Sequence, residues 1–237
     1  MNPQFGRFSS AVISENKRGC VAVIPDIKCV SPKEGDLLQG RDPVYTAEYL
    51  VSVGAPVISV VTEKERFGGS IRLLHDIAKN TGAPVLRKDF ITDENQISET
   101  IDLGAAAVLL ICSITDEKNM RMLYEKSLKL GLEPFVEVCT AEEMEIAKKL
   151  KARLIGINNR DIITLEQDDG GPSRTSALAS SVPYGAVLVS ESGILSSADA
   201  ATAASAGANA VLVGTALWKA RDMAEMYKSL RVKIKPK

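Results

Sequence analysis

The stretch Pro84-Val85-Leu86-Arg87-Lys88-Asp89-Phe90 decides how the rest of the chain is read. Residues 84–87 have the character of a short strand ending. A lysine, an aspartate and an aromatic follow, and a helix signal opens at Asp93. A lysine at the carboxyl end of a strand, just before the chain turns into a helix, stands where α/β folds gather their reactive side chains.

Working outward from this unit, the same pattern recurs along the chain: a short apolar run, a polar junction, an amphipathic helix, a glycine. Near-continuous apolar runs suit parallel strands buried on both faces. Runs fall at 21–28, 56–61, 84–87, 106–112, 133–138, 153–157, 186–190 and 210–213. Pro25 removes a ladder donor and predicts a bulge or an end to the first strand. Residues 29–40 read as a loop, and Asp42-Pro43 as the cap and first turn of a helix that Gly54 ends. Further helices are expected at 70–80, 93–103, 116–130, 140–150, 173–181 and 196–206, with a last one from Gly214-Thr215 to about 232. Eight strand–helix units predict a single-domain (β/α)8 barrel over 1–237 rather than an open doubly wound sheet. Residues 1–19 read as a short irregular arm, either anchored on a hydrophobic rim by Phe5 and Phe8 or loosely packed as a terminus, and a glycine-rich loop spans 168–173.

The totals exclude several classes of function. The 237 residues are 45% hydrophobic and 25% charged, with 29 Lys plus Arg against 30 Asp plus Glu, for a net charge of -1. Such a balance gives no global field for nucleic acid or an anionic membrane, so any anion site must be local. Four cysteines (Cys20, Cys29, Cys112, Cys139) form no C-x-x-C pair, and His75 is the one histidine. No metal and no cofactor are expected, and the thiols read as free and packed. Met1 to Ser10 lacks an apolar core and no run is long enough to span a bilayer, so a cytoplasmic protein is expected. The basic tail (Arg231, Lys233, Lys235, Lys237) reads as a solvated end.

In a barrel the eight strand ends open on one face, so residues just past them converge. They are Asp26 and Lys28, Glu63, Lys88, Glu137, Asn158 and Arg160, Glu191 and Ser192, and Gly214 and Thr215. Glu63 alone reads better as a solvated loop charge. Ser192-Gly193 and Gly214-Thr215, at adjacent strand ends, predict a phosphate pocket of backbone N–H groups.

The motifs Asp26-Ile27-Lys28 with Ser31-Pro32, Ser59-Val60-Val61-Thr62-Glu63, Phe67-Gly68-Gly69-Ser70 and Leu86-Arg87-Lys88-Asp89-Phe90-Ile91 form a series. It continues through Val136-Glu137-Val138, Ile155-Gly156-Ile157-Asn158-Asn159-Arg160-Asp161, Ser190-Glu191-Ser192-Gly193-Ile194 and Leu212-Val213-Gly214. Over residues 21–220 the chain resembles the indole-3-glycerol phosphate synthase family. That resemblance implies ring closure of a carboxyphenylamino-deoxyribulose phosphate to indole glycerol phosphate, with loss of carbon dioxide and water. It implies Lys88 as general acid, Lys28 as holder of substrate oxygens, and Glu137 as base or stabiliser of the iminium cation. Asn158 and Glu191 would orient substrate and lysines, and Arg160 would support the site or pair with an anion. Ser31, Ser192, Gly193, Gly214 and Thr215 would take the phosphate, and Phe67, Phe90 and Leu109 would wall the aromatic ring. The family usually has Glu where this chain has Asp26, after Ala rather than Pro25, and a longer amino-terminal extension.

The partner expected is therefore a small phosphosugar, without nucleic acid or membrane, and the protein a monomer or weak homo-oligomer. Three other readings of the same residues stay open here: a paralogue acting on a related phosphosugar, an aldolase forming a Schiff base on Lys88 or Lys28, and a phosphosugar-binding protein without turnover.

Overall fold

The computed structural model describes residues 6–160 and 171–234. Phe5, Asp161, residues 168–170, Lys235 and Lys237, all given parts in the sequence reading, lie outside the described residues. Eight parallel strands follow one another in the chain. They are β1 (Ala22–Ile27), β2 (Ile58–Val61), β3 (Val85–Lys88), β4 (Ala107–Ile111), β5 (Glu133–Val138), β6 (Leu154–Asn158), β7 (Val187–Glu191) and β8 (Ala210–Val213). Each pairs with the next, and β8 closes on β1 through Ala22↔Ala210 to Pro25↔Val213, making a single-domain (β/α)8 barrel.

Strand geometry sorts side chains onto two faces with a period of two. Ala22, Ile24, Leu86, Ala107, Leu109, Phe135, Leu154, Val187, Val189 and Ala210 fill the barrel interior. Their outward neighbours, such as Val23, Val60, Val85, Val136, Ile155, Leu188 and Val211, pack under the helices. Counting two residues on along the interior face brings Asp26, Lys88, Glu137 and Glu191 to the inward side at the strands' carboxyl ends. Asn158 follows on β6, four residues beyond Leu154.

The amino-terminal helix α1 is Arg7–Lys17, followed by α2 (Pro43–Val53), α3 (Ile71–Thr81), α4 (Glu94–Asp102), α5 (Glu117–Lys129), α6 (Ala141–Lys149), α7 (Ser173–Leu178), α8 (Ser197–Ala206), α9 (Thr215–Lys219) and α10 (Met223–Leu230). Their starts follow local capping chemistry. The Asp42 carboxylate accepts from Val44 N and Tyr45 N ahead of α2, and Asp93 with Gln96 makes a reciprocal capping box ahead of α4.

Four local expectations are corrected. The arm is not irregular: α1 occupies most of it, and Phe8 and Val12 are fully buried in the interior cluster, closing the amino-terminal end of the barrel. Its start lacks a side-chain cap of its own, and Glu133 of β5 supplies one from 125 residues away, accepting from Phe8 N at 2.6 Å. A cap so distant leaves no local signal. Pro25 neither ends nor bulges β1. Pairing with β8 runs to Pro25 and pairing with β2 begins at Asp26, so the missing donor falls where the strand changes partners. The loop after β1 contains a two-residue hairpin, Val30–Ser31 against Gly35–Asp36. The last helix is broken, because Ala220 is extended and Asp222 caps a new helix by accepting from Glu225 N.

Candidate active site

The carboxyl ends of the strands surround an open cleft. Asp26, Lys28, Lys88, Asn158 and Arg160 line it, as do Phe67, Phe90 and Leu109 and both glycine turns. Of the residues expected at this site, only Ser31, Glu137 and Glu191 are absent from its lining. Ser31 is buried, its hydroxyl accepts from Glu34 N at 3.4 Å, and Pro32 meets the cleft in its place.

Glu137 and Glu191 form the floor. Both are buried, at 0% and 1% exposure. Asn158 Nδ2 donates to Glu137 Oε1 at 3.0 Å. Neither Glu137 Oε2 nor either Glu191 oxygen accepts a hydrogen bond among the described residues. Gly156 makes room for this layer, since a methyl group there would overlap Glu191 Oε1 and the Phe135 ring. Burial pushes the Glu191 carboxyl well above the usual carboxylate range; the Glu137 charge adds to this and Lys88 opposes it. Burial also raises Glu137, but Lys88 and the Asn158 amide pull it back. Both carboxyls are thus raised by burial, Glu191 further than Glu137, because Glu137 alone has the Asn158 amide bonded to it.

Lys28 projects over the Phe67 ring, 5.5 Å from its centroid. Asp26 Oδ1 accepts from Ser59 Oγ at 2.7 Å, and the Asp26 backbone carbonyl accepts from Trp218 Nε1 at 3.0 Å. The loop after β2 is shaped by Glu63, whose carboxylate accepts from the backbone N–H of Glu65, Arg66 and Phe67. Glu63 thus orders the segment that presents Phe67. Across β3 the outward residue Arg87 is held by Glu99 Oε2 at 2.8 Å and Asp89 Oδ2 at 3.2 Å, and Asp89 accepts from Thr62 Oγ1. This buried network fixes the strand end from which Lys88 points inward.

The two turns lie after β7 and β8. Ser192 (φ 61) and Gly193 (φ 69) are consecutive residues with positive φ. A serine resists that conformation, and Asn159 secures it: its amide donates to Ser190 Oγ, Glu191 O and Ser192 O, and its carbonyl accepts from Thr175. Gly214 lies directly against Asp26; a methyl there would come within 3.4 Å of Asp26 Oδ2.

In an eight-membered ring, strand β3 stands across from β7 and β4 from β8. Phe90, Leu109 and Ile111 therefore stand across from the glycine turns, while Phe67 comes from the loop after β2 and lies beside Lys28. A ligand that is aromatic at one end and anionic at the other fits this arrangement. Ile111, Leu195 and Leu212 also line the cleft; they went unread because apolar residues at strand ends look like core. Asn159 and Trp218 gave no signal either, since their partners lie far along the chain. The Cys112 and Cys139 thiols are both pushed up to about 12, chiefly by burial, and stay protonated. No group of metal-ligating side chains is found among the described residues.

Comparison with known proteins agrees with this geometry. The family model described as indole-3-glycerol phosphate synthase matches residues 2–230. An indole-3-glycerol phosphate synthase of Pyrococcus furiosus is 45% identical over 87% of this chain and 90% of its own. Its counterpart in Thermococcus kodakarensis is 42% identical over 88% and 91%. That of Listeria monocytogenes is 41% identical over 89% and 82%.

Proposed function

The chain belongs to the indole-3-glycerol phosphate synthase family, and from that premise we propose that it closes the indole ring of 1-(2-carboxyphenylamino)-1-deoxyribulose 5-phosphate, releasing carbon dioxide and water. It acts as a carboxy-lyase of tryptophan biosynthesis. The observation that carries the assignment of roles is the convergence on one cleft of Lys28, Lys88, an acidic floor, an apolar wall and two glycine turns.

The phosphate lies against Ser192-Gly193 and Gly214-Thr215, where N–H groups offset its charge. The aromatic ring lies against Phe67, Phe90 and Leu109, which brings its carboxylate-bearing carbon towards the substrate ketone. Lys28 holds the ketone oxygen as the new carbon–carbon bond forms and the oxygen takes a proton. The bond to the carboxylate then breaks, and its electrons restore the aromatic ring as carbon dioxide leaves. Lys88 donates the proton with which the hydroxyl departs as water. The ring nitrogen's lone pair stabilises the resulting cation, and Glu137, the less perturbed carboxylate, faces it and accepts the proton whose loss completes the indole. Glu191 and Asn158 orient these groups, and Arg160 pairs with the substrate carboxylate.

The same reading has the protein work as a monomer or weak homo-oligomer. Among the described residues no helix is long and apolar enough to cross a membrane; the reading places the protein in the cytoplasm, with a small phosphosugar as its partner. Mixing the purified protein with the carboxyphenylamino sugar phosphate tests the reading. Indole fluorescence should appear in step with one equivalent of carbon dioxide; ligand binding with no indole formed would overturn it.

A further inference from the structure

A brace outside the reacting groups joins the loop after β1 to the helix after β8. The half-buried Arg41 precedes α2, and its Nε donates to Leu38 O at 2.9 Å. Its Nη2 donates to Leu37 O at 2.8 Å and to Trp218 O at 2.5 Å. The guanidinium also lies over the Trp218 ring, 5.1 Å from the centroid. Trp218 is 3% exposed, and its indole N–H runs on to the carbonyl of Asp26. Asp26 in turn lies against Gly214, the first residue of the turn that leads into α9. One cation thus ties together the β1 loop, α9, the end of β1 and the second glycine turn. Nearer the surface a second link, Lys219 Nζ to Glu34 Oε2 at 2.7 Å, spans the same two segments.

We infer that Arg41, stacked on Trp218, is a positioning residue for the phosphate end of the substrate: it clasps the β1 loop to α9 and so holds the Gly214-Thr215 turn and Asp26 in register. The inference rests on the reading that places phosphate at that turn. The planar fork belongs to arginine; a lysine would keep the charge over the indole but has no fixed fork with which to bond three carbonyls. Lys88 and Glu137 stand on β3 and β5, on other parts of the ring, so loosening the brace should weaken binding and leave the chemical step largely intact.

Trp218 is the single tryptophan of the chain and gives a direct readout. Titrating inorganic phosphate while following Trp218 emission should give a dissociation constant raised about tenfold or more in Arg41→Ala and in Arg41→Lys, the scale set by losing charge-assisted bonds. The Michaelis constant should rise in parallel, while the turnover number stays within about threefold of wild type. Glu34→Gln, which removes only the exposed link, should shift either constant by less than about threefold. If Arg41→Ala does not fold, Arg41→Lys carries the comparison. A lowered melting temperature with unchanged phosphate affinity and Michaelis constant would reduce Arg41 to a structural role and overturn the inference, as would a fall in turnover number alone. Wild-type protein that binds phosphate but makes no indole would overturn the reaction, while the brace is still judged by the phosphate titration. Wild-type emission and calorimetry both indifferent to phosphate would overturn the phosphate placement and the brace together.

Discussion

Arg87 and Lys88 are neighbours in sequence and stand on opposite sides of the barrel wall. Arg87 is 3% exposed and spends its donors on Glu99, Asp89, Thr100 and the Gln96 carbonyl, which leaves Lys88 as the inward cation of β3. Lys88→Ala and Lys88→Arg should each lower the turnover number by about 100-fold or more, since an arginine does not release its proton near neutrality. Melting temperatures should stay near wild type; substantial turnover in either variant removes Lys88 from the proton transfer. Glu191 makes a prediction about pH. Its folded-state carboxyl titrates well above its ordinary value of 4.5, because it is buried beside Glu137. The folded chain therefore keeps a proton that the unfolded chain loses above pH 4.5, and stability falls as pH rises from there through the folded value. Glu191→Gln removes that dependence. Thermal melts should show the variant gaining on wild type between acidic and alkaline pH, and parallel curves would contradict the raised pKa.

At the scale of strands and turns, the inward-facing positions were legible because pleating imposes them. Once Leu86 is inside, Lys88 must be, and the same count places Glu137 after Phe135 and Glu191 after Val189. What could not be read were side chains whose role depends on a distant partner. Trp218 reaches Asp26 across 192 positions and Asn159 holds Ser192 across 33. The burial of the two glutamates beneath the cleft is of the same kind, since it depends on a missing side chain on a different strand. Gly156 on β6 leaves the space that the Glu191 carboxylate occupies. Gly156→Ala should destabilise the protein by about 1–3 kcal/mol, the range for overpacking a filled core. It should also lower the turnover number more than it raises the Michaelis constant, because the displaced group belongs to the acidic floor and not to the glycine turns. Urea unfolding with steady-state kinetics checks both, and a variant of wild-type stability and turnover would mean the layer can shift at no cost.

On the scale of the whole molecule, the two ends of the barrel do different work. The carboxyl-terminal mouth holds the cleft. The opposite end is stopped by α1, where Glu15, 2% exposed, is bonded to Arg18 and Arg231 and where Asn16 and Asn209 bond reciprocally. Phe8→Ala at that end should cost about 3–5 kcal/mol of unfolding free energy, as for other buried aromatics, and leave the Michaelis constant unchanged at temperatures where the variant is folded. A raised Michaelis constant would show that the two ends communicate. Barrel and strand order were readable from eight repeats, whereas the stopper was not, because its two apolar anchors sit among serines and its cap is borrowed from β5. The brace has a consequence for supply. Trp218 is the one indole the chain must obtain in order to be made. A cell short of this amino acid, and so most in need of the enzyme, can translate the whole chain from a single charged tryptophan, and one turnover of the finished molecule forms the indole precursor that replaces it.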